Sequence, residues 1–317
     1  MSLSSAFTPL AAPSAANRFN AQRFSGIFVP LVTPFRQGQV DYAAAQNLVA
    51  HLIAQGVDGL VVCGTTGEAA TLNDGEQNRL LMAVREVAGN LPLVMGLAGN
   101  DTQTVARRAA ELSAQACGLL VSAPYYLRPS QAGILAHFEA IAAATPLPLL
   151  IYNIPYRTGV NIELSTLQKL AANPQFVAIK ESGGGNMAQL MATIADTPLR
   201  VLSGEDSLIF VNACLGGHGA IAAAAHIRPD LYQRMQALVA AGDLPAARAI
   251  AQALAPWIKL LYSEPNPAGV KAVLAMQGLI RNELRLPMVP VSKGLMAGLE
   301  EMLPRVLQLG AGVGASV

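Results

Sequence analysis

Lys180 ends a short apolar run and is the residue with the clearest chemical potential in this sequence. The run 176–179 is typical of a buried parallel strand, and a glycine-rich turn follows Lys180 and Glu181. Partial desolvation at a strand tip lowers the pKa of a lysine toward the neutral amine that attacks carbonyl groups. The plainer interpretation is that Lys180 opens a solvated loop and pairs with Glu181. The remaining lysines fall in helical patterns or at a helix entrance: Lys169, Lys259, Lys271 and Lys293.

Hydroxyl groups and an arginine follow other apolar runs. Thr65 and Thr66 lie between glycines, where hydroxyls and free backbone N–H groups can hold a carboxylate, although an ordinary glycine-rich loop has the same pattern. Tyr152 ends another run, and a phenol beside an amine can donate and retrieve a proton at pH 7. A core tyrosine bonded to a backbone carbonyl is the alternative. Arg157 could bind a substrate carboxylate through two hydrogen bonds. The alternative is an exposed arginine on its loop.

Eight apolar runs alternate with eight helical patterns from residue 26 onward. The runs span 26–33, 59–62, 93–96, 119–122, 147–152, 176–180, 201–204 and 220–223. The helical patterns span 41–54, 74–88, 102–116, 130–144, 165–172, 186–195, 206–215 and 229–241, and the capping residues expected are Asp41, Asp101, Ser130 and Ser165. Eight such units predict an α/β fold, a closed TIM (β/α)8 barrel. Because reacting groups lie at the C-terminal ends of barrel strands, the residues named above are expected to meet at one mouth.

Both ends of the chain fall outside the barrel pattern. Residues 1–24 are rich in Ser, Ala and Pro and contain no acidic residue, which predicts a disordered or targeting-like tail. The predicted barrel occupies residues 25–242. Further helical patterns near 245–262, 267–277 and 293–309 predict a C-terminal helical segment over residues 243–317.

Composition limits the classes of function. A net charge of +1 without basic runs provides no surface for nucleic acid or an anionic membrane, which favours small-molecule chemistry. Only 13% of residues are charged, so we expect other subunits to cover part of the surface. Cys63, Cys117 and Cys214 are predicted to be buried free thiols in a reducing compartment, and the four histidines show no metal-ligand spacing. No apolar run approaches the roughly 18 to 20 residues that span a bilayer, so a soluble, cytoplasmic protein is expected.

Five segments taken together resemble the dihydrodipicolinate synthase family of the N-acetylneuraminate lyase superfamily. They are Gly-Thr-Thr-Gly-Glu-Ala-Ala-Thr-Leu at 64–72, Tyr-Tyr-Leu-Arg-Pro-Ser-Gln at 125–131, Tyr-Asn-Ile-Pro-Tyr-Arg-Thr-Gly at 152–159, Ile-Lys-Glu at 179–181 and Glu-Pro-Asn-Pro at 264–267. The resemblance runs from about residue 26 to about residue 309, in the same order and with similar spacing.

The resemblance implies a lyase that joins pyruvate to aspartate semialdehyde in lysine and diaminopimelate biosynthesis. Lys180 would form a Schiff base with pyruvate, without any cofactor. Tyr152 and Thr65 would belong to a proton relay that Tyr126 of a neighbouring subunit completes. Thr66 would hold the pyruvate carboxylate. The remaining residues of the implied substrate site are Arg157, which would receive the carboxylate of aspartate semialdehyde, and Ile221 and Gly204. The family is typically a homotetramer built as a dimer of dimers.

Three departures from the family pattern leave the second substrate open. Ser-Gly-Gly-Gly follows Glu181, Leu127 replaces a usually polar residue, and the segment 220–225 is smaller than usual. One alternative is another pyruvate-dependent aldolase or lyase of the superfamily that acts on a sugar acid or other aldehyde. Such enzymes usually have other residues at the position of Arg157. The second alternative is a non-catalytic paralogue that binds a keto acid.

Lysine inhibits some members of the family at a subunit interface. Thr104 occupies the position where a glutamate would meet the ammonium group of the effector, so the resemblance implies weak inhibition or none. The positions that correspond to the effector site are Ala69, Asp74, Gln77, Asn100, Thr104 and Tyr125.

Overall fold

Eight parallel strands form a closed barrel in the computed structural model, which describes residues 19–112 and 116–310. Each strand pairs with the next one along the chain, and the eighth pairs with the first. The strands are β1 (Gly26–Pro30), β2 (Gly59–Val62), β3 (Leu93–Leu97), β4 (Gly118–Ser122), β5 (Leu149–Asn153), β6 (Phe176–Glu181), β7 (Arg200–Ser203) and β8 (Gly219–Ile221). This topology confirms the predicted TIM barrel.

Helices follow the strands and cover the barrel. In the described part of the chain they are α1 (Tyr42–Ala54), α2 (Asp74–Ala88), α3 (Thr102–Glu111), α4 (Gln131–Ala144), α5 (Leu164–Ala171), α6 (Met187–Asp196), α7 (Ile209–Cys214) and α8 (Pro229–Ala240). Asp41, Asp101 and Ser130 cap α1, α3 and α4 as predicted. The predicted cap Ser165 is wrong, because α5 begins one residue before it and follows Glu163.

Three more helices form the C-terminal segment. They are α9 (Leu244–Leu261), α10 (Ala268–Met276) and α11 (Lys293–Gln308). Helix α9 packs on α8 and on the turn Asp206–Leu208, which follows β7, so the segment reaches the C-terminal mouth of the barrel. The helices are present as predicted, and the boundary at residue 243 stays a prediction.

The barrel interior is apolar and is closed at the end opposite the mouth. Phe24 is 2% exposed and packs with interior residues that include Phe28, Leu150 and Val177. A Cβ atom on Gly118 would lie 3.2 Å from the Phe24 ring, so this position leaves room for the aromatic side chain. Phe24 belongs to the predicted tail, yet it is part of the core. Most of that tail, residues 1–18, lies outside the described residues.

Some short elements were not predicted from the sequence, and one thiol was assigned wrongly. Residues Phe35–Arg36 and Gln39–Val40 form a small antiparallel hairpin, and Pro155–Thr158 form one helical turn. Of the predicted buried thiols, Cys63 is buried, Cys117 is partly buried and Cys214 is exposed. Cys214 ends α7, whose buried face carries other residues.

Among the described helices, none combines the length and the apolar character that crossing a membrane requires.

Candidate active site

Lys180 and Tyr152 face each other at the mouth of the barrel. They are partners in the parallel register of β6 and β5, and the Lys180 Nζ atom lies 4.4 Å from the centre of the Tyr152 ring. Both side chains are buried, with 6% and 8% of their surface exposed. The Glu181 carboxylate accepts hydrogen bonds of 3.0 and 3.1 Å from Asn153 Nδ2. Lys180 is therefore an interior amine, and not the first residue of a solvated loop.

The surroundings of Lys180 raise the fraction of its neutral form above that of a solvated lysine. Burial lowers the pKa of Lys180 to about 8, while the charges of Asp206 and then Glu205 act in the opposite direction. The positive charge of Arg157 lowers the pKa further. A pKa near 8 leaves a useful fraction of free amine at neutral pH, which is the state that attacks a carbonyl carbon.

Tyr152 keeps its proton at neutral pH. Burial raises the pKa of Tyr152 to about 12, and the neighbouring side chains of Thr65, Arg157 and Ser182 act against this rise. The side chain therefore enters a reaction as a neutral phenol that can donate a proton and take it back. Tyr152 lines an open cavity, which a tyrosine enclosed in the core would not do.

A cavity of about 750 Å³ opens above Lys180, between the barrel mouth and the C-terminal segment. Seven of the eight residues predicted for the site line it: Thr65, Thr66, Tyr152, Arg157, Lys180, Gly204 and Ile221. The eighth, Tyr126, does not line it. Tyr126 is 87% exposed on the loop after β4, and its backbone N–H donates to the carbonyl of Thr158 over 3.3 Å. One chain thus brings together all of the predicted site except this ring.

The loop Gly64–Glu68 is held from both sides. The Thr33 hydroxyl donates to the carbonyl of Gly67 over 2.6 Å. The Glu68 carboxylate is buried and pairs with Lys271 Nζ at 2.5 Å. These contacts fix the loop backbone, so Thr65 and Thr66 are presented to the cavity from a rigid support.

Gly204 is the point where backbone approaches Lys180. A Cβ atom at this position would lie 2.0 Å from Ser182 Oγ and 2.9 Å from Lys180 Cε. The backbone N–H of Gly204 donates to the carbonyl of Glu181 over 2.8 Å. Any larger residue would therefore displace the lysine side chain.

The family of the chain follows from comparison with known proteins. The profile of the dihydrodipicolinate synthetase family matches residues 23–311. The chain belongs to this family. The match covers the barrel and the C-terminal helices, so the helices that form the upper wall of the cavity belong to the family fold.

Individual family members are similar over most of their length. A protein of Syntrophobacter fumaroxidans named 4-hydroxy-tetrahydrodipicolinate synthase is 43% identical over 274 residues, which cover 85% of this chain and 94% of that protein. The solved dihydrodipicolinate synthase of Acinetobacter baumannii complexed with pyruvate has a TM-score of 0.83 and 34% identity, over 88% of this chain and 98% of that one. The enzyme of Cyanidioschyzon merolae with lysine bound has a TM-score of 0.87 and 34% identity, over 90% and 99% of the two chains.

A second cavity of about 580 Å³ adjoins the first and shares Thr65, Tyr152 and Arg157 with it. It is lined by all six positions that the family resemblance assigned to an effector: Ala69, Asp74, Gln77, Asn100, Thr104 and Tyr125. The Thr104 hydroxyl donates to the carboxylate of Asp101, and the Asp74 carboxylate lies 3.8 Å from Arg108. Both side chains already have partners within the chain.

Sequence reasoning missed several polar residues that line the cavity in this dihydrodipicolinate synthetase family member, and three of them are adjacent in sequence or joined by a hydrogen bond. They are Glu205, Asp206 and Tyr262. Asp206 is buried and accepts hydrogen bonds from the Tyr262 hydroxyl at 2.8 Å and from the backbone N–H of Ala224 at 2.9 Å. The two acids directly follow Gly204, so the strand-end rule applied to β7 would have found them. Tyr262 directly follows α9, and its local pattern contains no such indication.

Proposed function

We propose that the protein catalyses the Schiff-base condensation of pyruvate with aspartate semialdehyde, which yields 4-hydroxy-tetrahydrodipicolinate. The observation that carries the proposal is the buried amine of Lys180 opposite Tyr152, in a chain of this family. An amine with a pKa of about 8 is suited to imine chemistry. The relatives named 4-hydroxy-tetrahydrodipicolinate synthase support the choice of this reaction over others of the superfamily.

The first half of the reaction joins pyruvate to Lys180. The neutral amine attacks the keto carbon, and loss of water gives an imine. The imine nitrogen draws electrons from the neighbouring methyl group, which loses a proton and leaves an enamine. Thr66 binds the pyruvate carboxylate in this proposal, since Thr66 lines the same cavity as Lys180. No cofactor takes part, because the covalent imine itself is the electron sink.

The second half forms a carbon–carbon bond and a ring. The enamine carbon attacks the aldehyde carbon of aspartate semialdehyde, and the aldehyde oxygen takes a proton to become the hydroxyl of the product. The amino group of the aldehyde substrate then attacks the imine carbon and expels Lys180 as a free amine. One water is released in the whole sequence. Arg157 receives the carboxylate of the aldehyde substrate, for which its planar guanidinium is well suited.

Tyr152 and Thr65 move the protons of these steps. The interaction between Tyr152 and Thr65 supports a relay, because a hydroxyl pair can pass a proton in either direction. The exposed ring of Tyr126 completes the relay of a neighbouring subunit. Assembly as a homotetramer, a dimer of dimers, therefore belongs to the proposal, as does a cytoplasmic location.

Reductive trapping tests the proposal. Incubation with pyruvate and borohydride is expected to add one pyruvate residue to the chain, and peptide mapping to locate it on Lys180. Lys180→Ala is expected to abolish the adduct while circular dichroism stays unchanged. An adduct on Lys271 would contradict the mechanism, and no adduct at all would favour a protein that only binds keto acids.

A panel of aldehydes identifies the second substrate. Purified protein and pyruvate are combined with aspartate semialdehyde or with sugar-acid aldehydes, and loss of pyruvate is followed. The proposal expects the highest kcat/KM with aspartate semialdehyde. A higher value with a sugar-acid aldehyde would overturn that choice and leave the Schiff base in place.

A further inference from the structure

The side chain of Asn266 connects the C-terminal segment to the loop after β2. Its Nδ2 atom donates a hydrogen bond of 2.9 Å to Thr66 Oγ1. Its Oδ1 atom is buried and accepts no hydrogen bond from the residues that the structure describes. Asn266 lines both cavities, so its amide belongs to the wall that they share.

This contact determines which way the Thr66 hydroxyl points. A hydroxyl group has one proton to donate and two lone pairs that accept. Because the Asn266 amide occupies one lone pair, the Thr66 proton is turned away from the amide. Within residues 19–112 and 116–310, Thr66 Oγ1 has no further hydrogen-bond partner. The proton is therefore available to a ligand in the larger cavity, which Thr66 lines. A carboxylate only accepts hydrogen bonds, so it needs a donor of this kind.

The other contacts of the loop do not supply this orientation. Thr33 holds the carbonyl of Gly67, and Lys271 holds the carboxylate of Glu68. Both fix backbone and neighbouring groups without touching the Thr66 hydroxyl. A threonine side chain with a fixed backbone still has a hydroxyl that rotates, so the amide of Asn266 is the group that selects one direction.

We infer that Asn266 is a positioning residue for the first substrate, and that it acts through Thr66 by fixing the Thr66 hydroxyl as a hydrogen-bond donor to the pyruvate carboxylate. The inference rests on the proposed function, since it takes pyruvate as the ligand. Asn266 takes part in no covalent step. Its replacement is therefore expected to weaken pyruvate binding more than turnover.

Two replacements of Asn266 differ in a way that tests this role. Asn266→Asp keeps the shape but offers only acceptors, so the Thr66 proton turns toward the new carboxylate and is lost to the substrate. A charge-assisted hydrogen bond commonly contributes about 10- to 100-fold in affinity, and the apparent KM for pyruvate is expected to rise by at least about 10-fold. Asn266→Ala frees the hydroxyl to rotate, and a rise of about two- to fivefold is expected. In both variants kcat is expected to change by less than about threefold.

A double-mutant cycle with Thr66→Val separates action through Thr66 from a direct effect. If Asn266 acts through the hydroxyl, Asn266→Ala has no further effect on the pyruvate KM once the hydroxyl is absent. Independent contributions would instead multiply. Asn282→Asp is the matched control, because its Oδ1 atom is also buried without a partner among the described residues while it lines neither cavity. Its KM is expected to stay within about twofold of the wild type.

The outcomes distinguish this inference from the proposed function. Borohydride trapping of the wild type with pyruvate comes first, and absence of an adduct on Lys180 would overturn the proposed function. With an adduct present, an unchanged pyruvate KM in Asn266→Asp would overturn only the role of Asn266. The role of Asn266 would also be overturned if Asn266→Ala raised the pyruvate KM by the same factor in the wild type and in Thr66→Val. Thermal unfolding of every variant verifies that the compared proteins are folded.

Discussion

The pH dependence of imine formation at Lys180 tests the electrostatics of the site directly. Burial lowers the pKa of this lysine from 10.5 to about 8, a differential interaction of about 3 kcal/mol. At pH 7 about one amine in ten is then neutral, against about one in three thousand for an ordinary lysine, a gain of roughly 300-fold in the attacking species. The sign follows from burial, which disfavours the charged form, so the rate falls as the pH drops below 8.

The assay mixes protein and pyruvate at each pH between 6 and 10, quenches samples into borohydride at one fixed pH, and measures the adduct by intact mass. The initial rate is expected to rise about tenfold per pH unit below the midpoint and to level off above about pH 8. Pyruvate stays ionised over this whole pH range, so the rising part of the pH–rate profile reflects the ionisation of the enzyme. A midpoint near about pH 10 would mean that Lys180 is solvated, and would refute the reasoning from burial.

A variant identifies the groups that set this midpoint. The charges of Asp206 and Glu205 both raise the pKa of Lys180, and Asp206 has the larger effect. Asp206→Asn is therefore expected to move the midpoint to lower pH. Glu264→Gln is the control, because Glu264 lines the same cavity and is not among the charges that act on Lys180. An unchanged midpoint in Asp206→Asn would remove that carboxylate from the account.

Four further outcomes are expected. Tyr152→Phe retains pyruvate trapping but loses turnover by about 10² to 10⁴, and steady-state rates within threefold of wild type would remove it from the relay. Arg157→Ala raises the KM for aspartate semialdehyde and not that for pyruvate; unchanged aldehyde kinetics would favour a different aldehyde substrate. Lys271→Met leaves the Glu68 carboxylate buried without its charge partner, so the free energy of unfolding measured in urea is expected to fall by about 3 to 5 kcal/mol. The double variant Lys271→Met/Glu68→Gln is expected to recover part of this loss. Lysine inhibits weakly or not at all, because Thr104 offers no charge, and half-inhibition below about 0.1 mM in a titration would contradict this.

The barrel was predictable because its pattern is local. Each buried strand is a short apolar run, and each helix carries its own period and often its own cap, as at Asp41 and Ser130. Seven of the eight predicted strands differ from the observed ones by one to three residues at one end or both, as in the first strand, where the apolar run continues past Pro30. The predicted strand 59–62 matches the observed one. The site residues at strand ends were found by the same reasoning, because register carries Lys180 and Tyr152 to one mouth.

The remaining parts of the site depend on contacts between distant segments. Tyr262 directly follows α9, and Asn266 lies between α9 and α10. Asn266 is part of a segment that carries the family resemblance, but neither local pattern indicates a contact with Asp206 or Thr66. The burial of Phe24 depends on a short capped turn, Ala21–Arg23, in a stretch whose composition resembles a tail. Composition describes the average of a segment, whereas one aromatic ring that fills the barrel end is a property of packing.

The pairing of Glu68 with Lys271 spans 203 residues, and that of Thr66 with Asn266 spans 200. A ribosome delivers the chain from its N-terminus, so the loop Gly64–Glu68 exists long before either partner has been made. Until residue 271 emerges, Glu68 is a carboxylate without its cation, and the Thr66 hydroxyl has no fixed direction. Contacts of such high sequence separation form late in folding, because a long loop must close first. A nascent or truncated chain therefore carries its reactive lysine without a finished substrate site, and competence arrives only with the last quarter of the molecule.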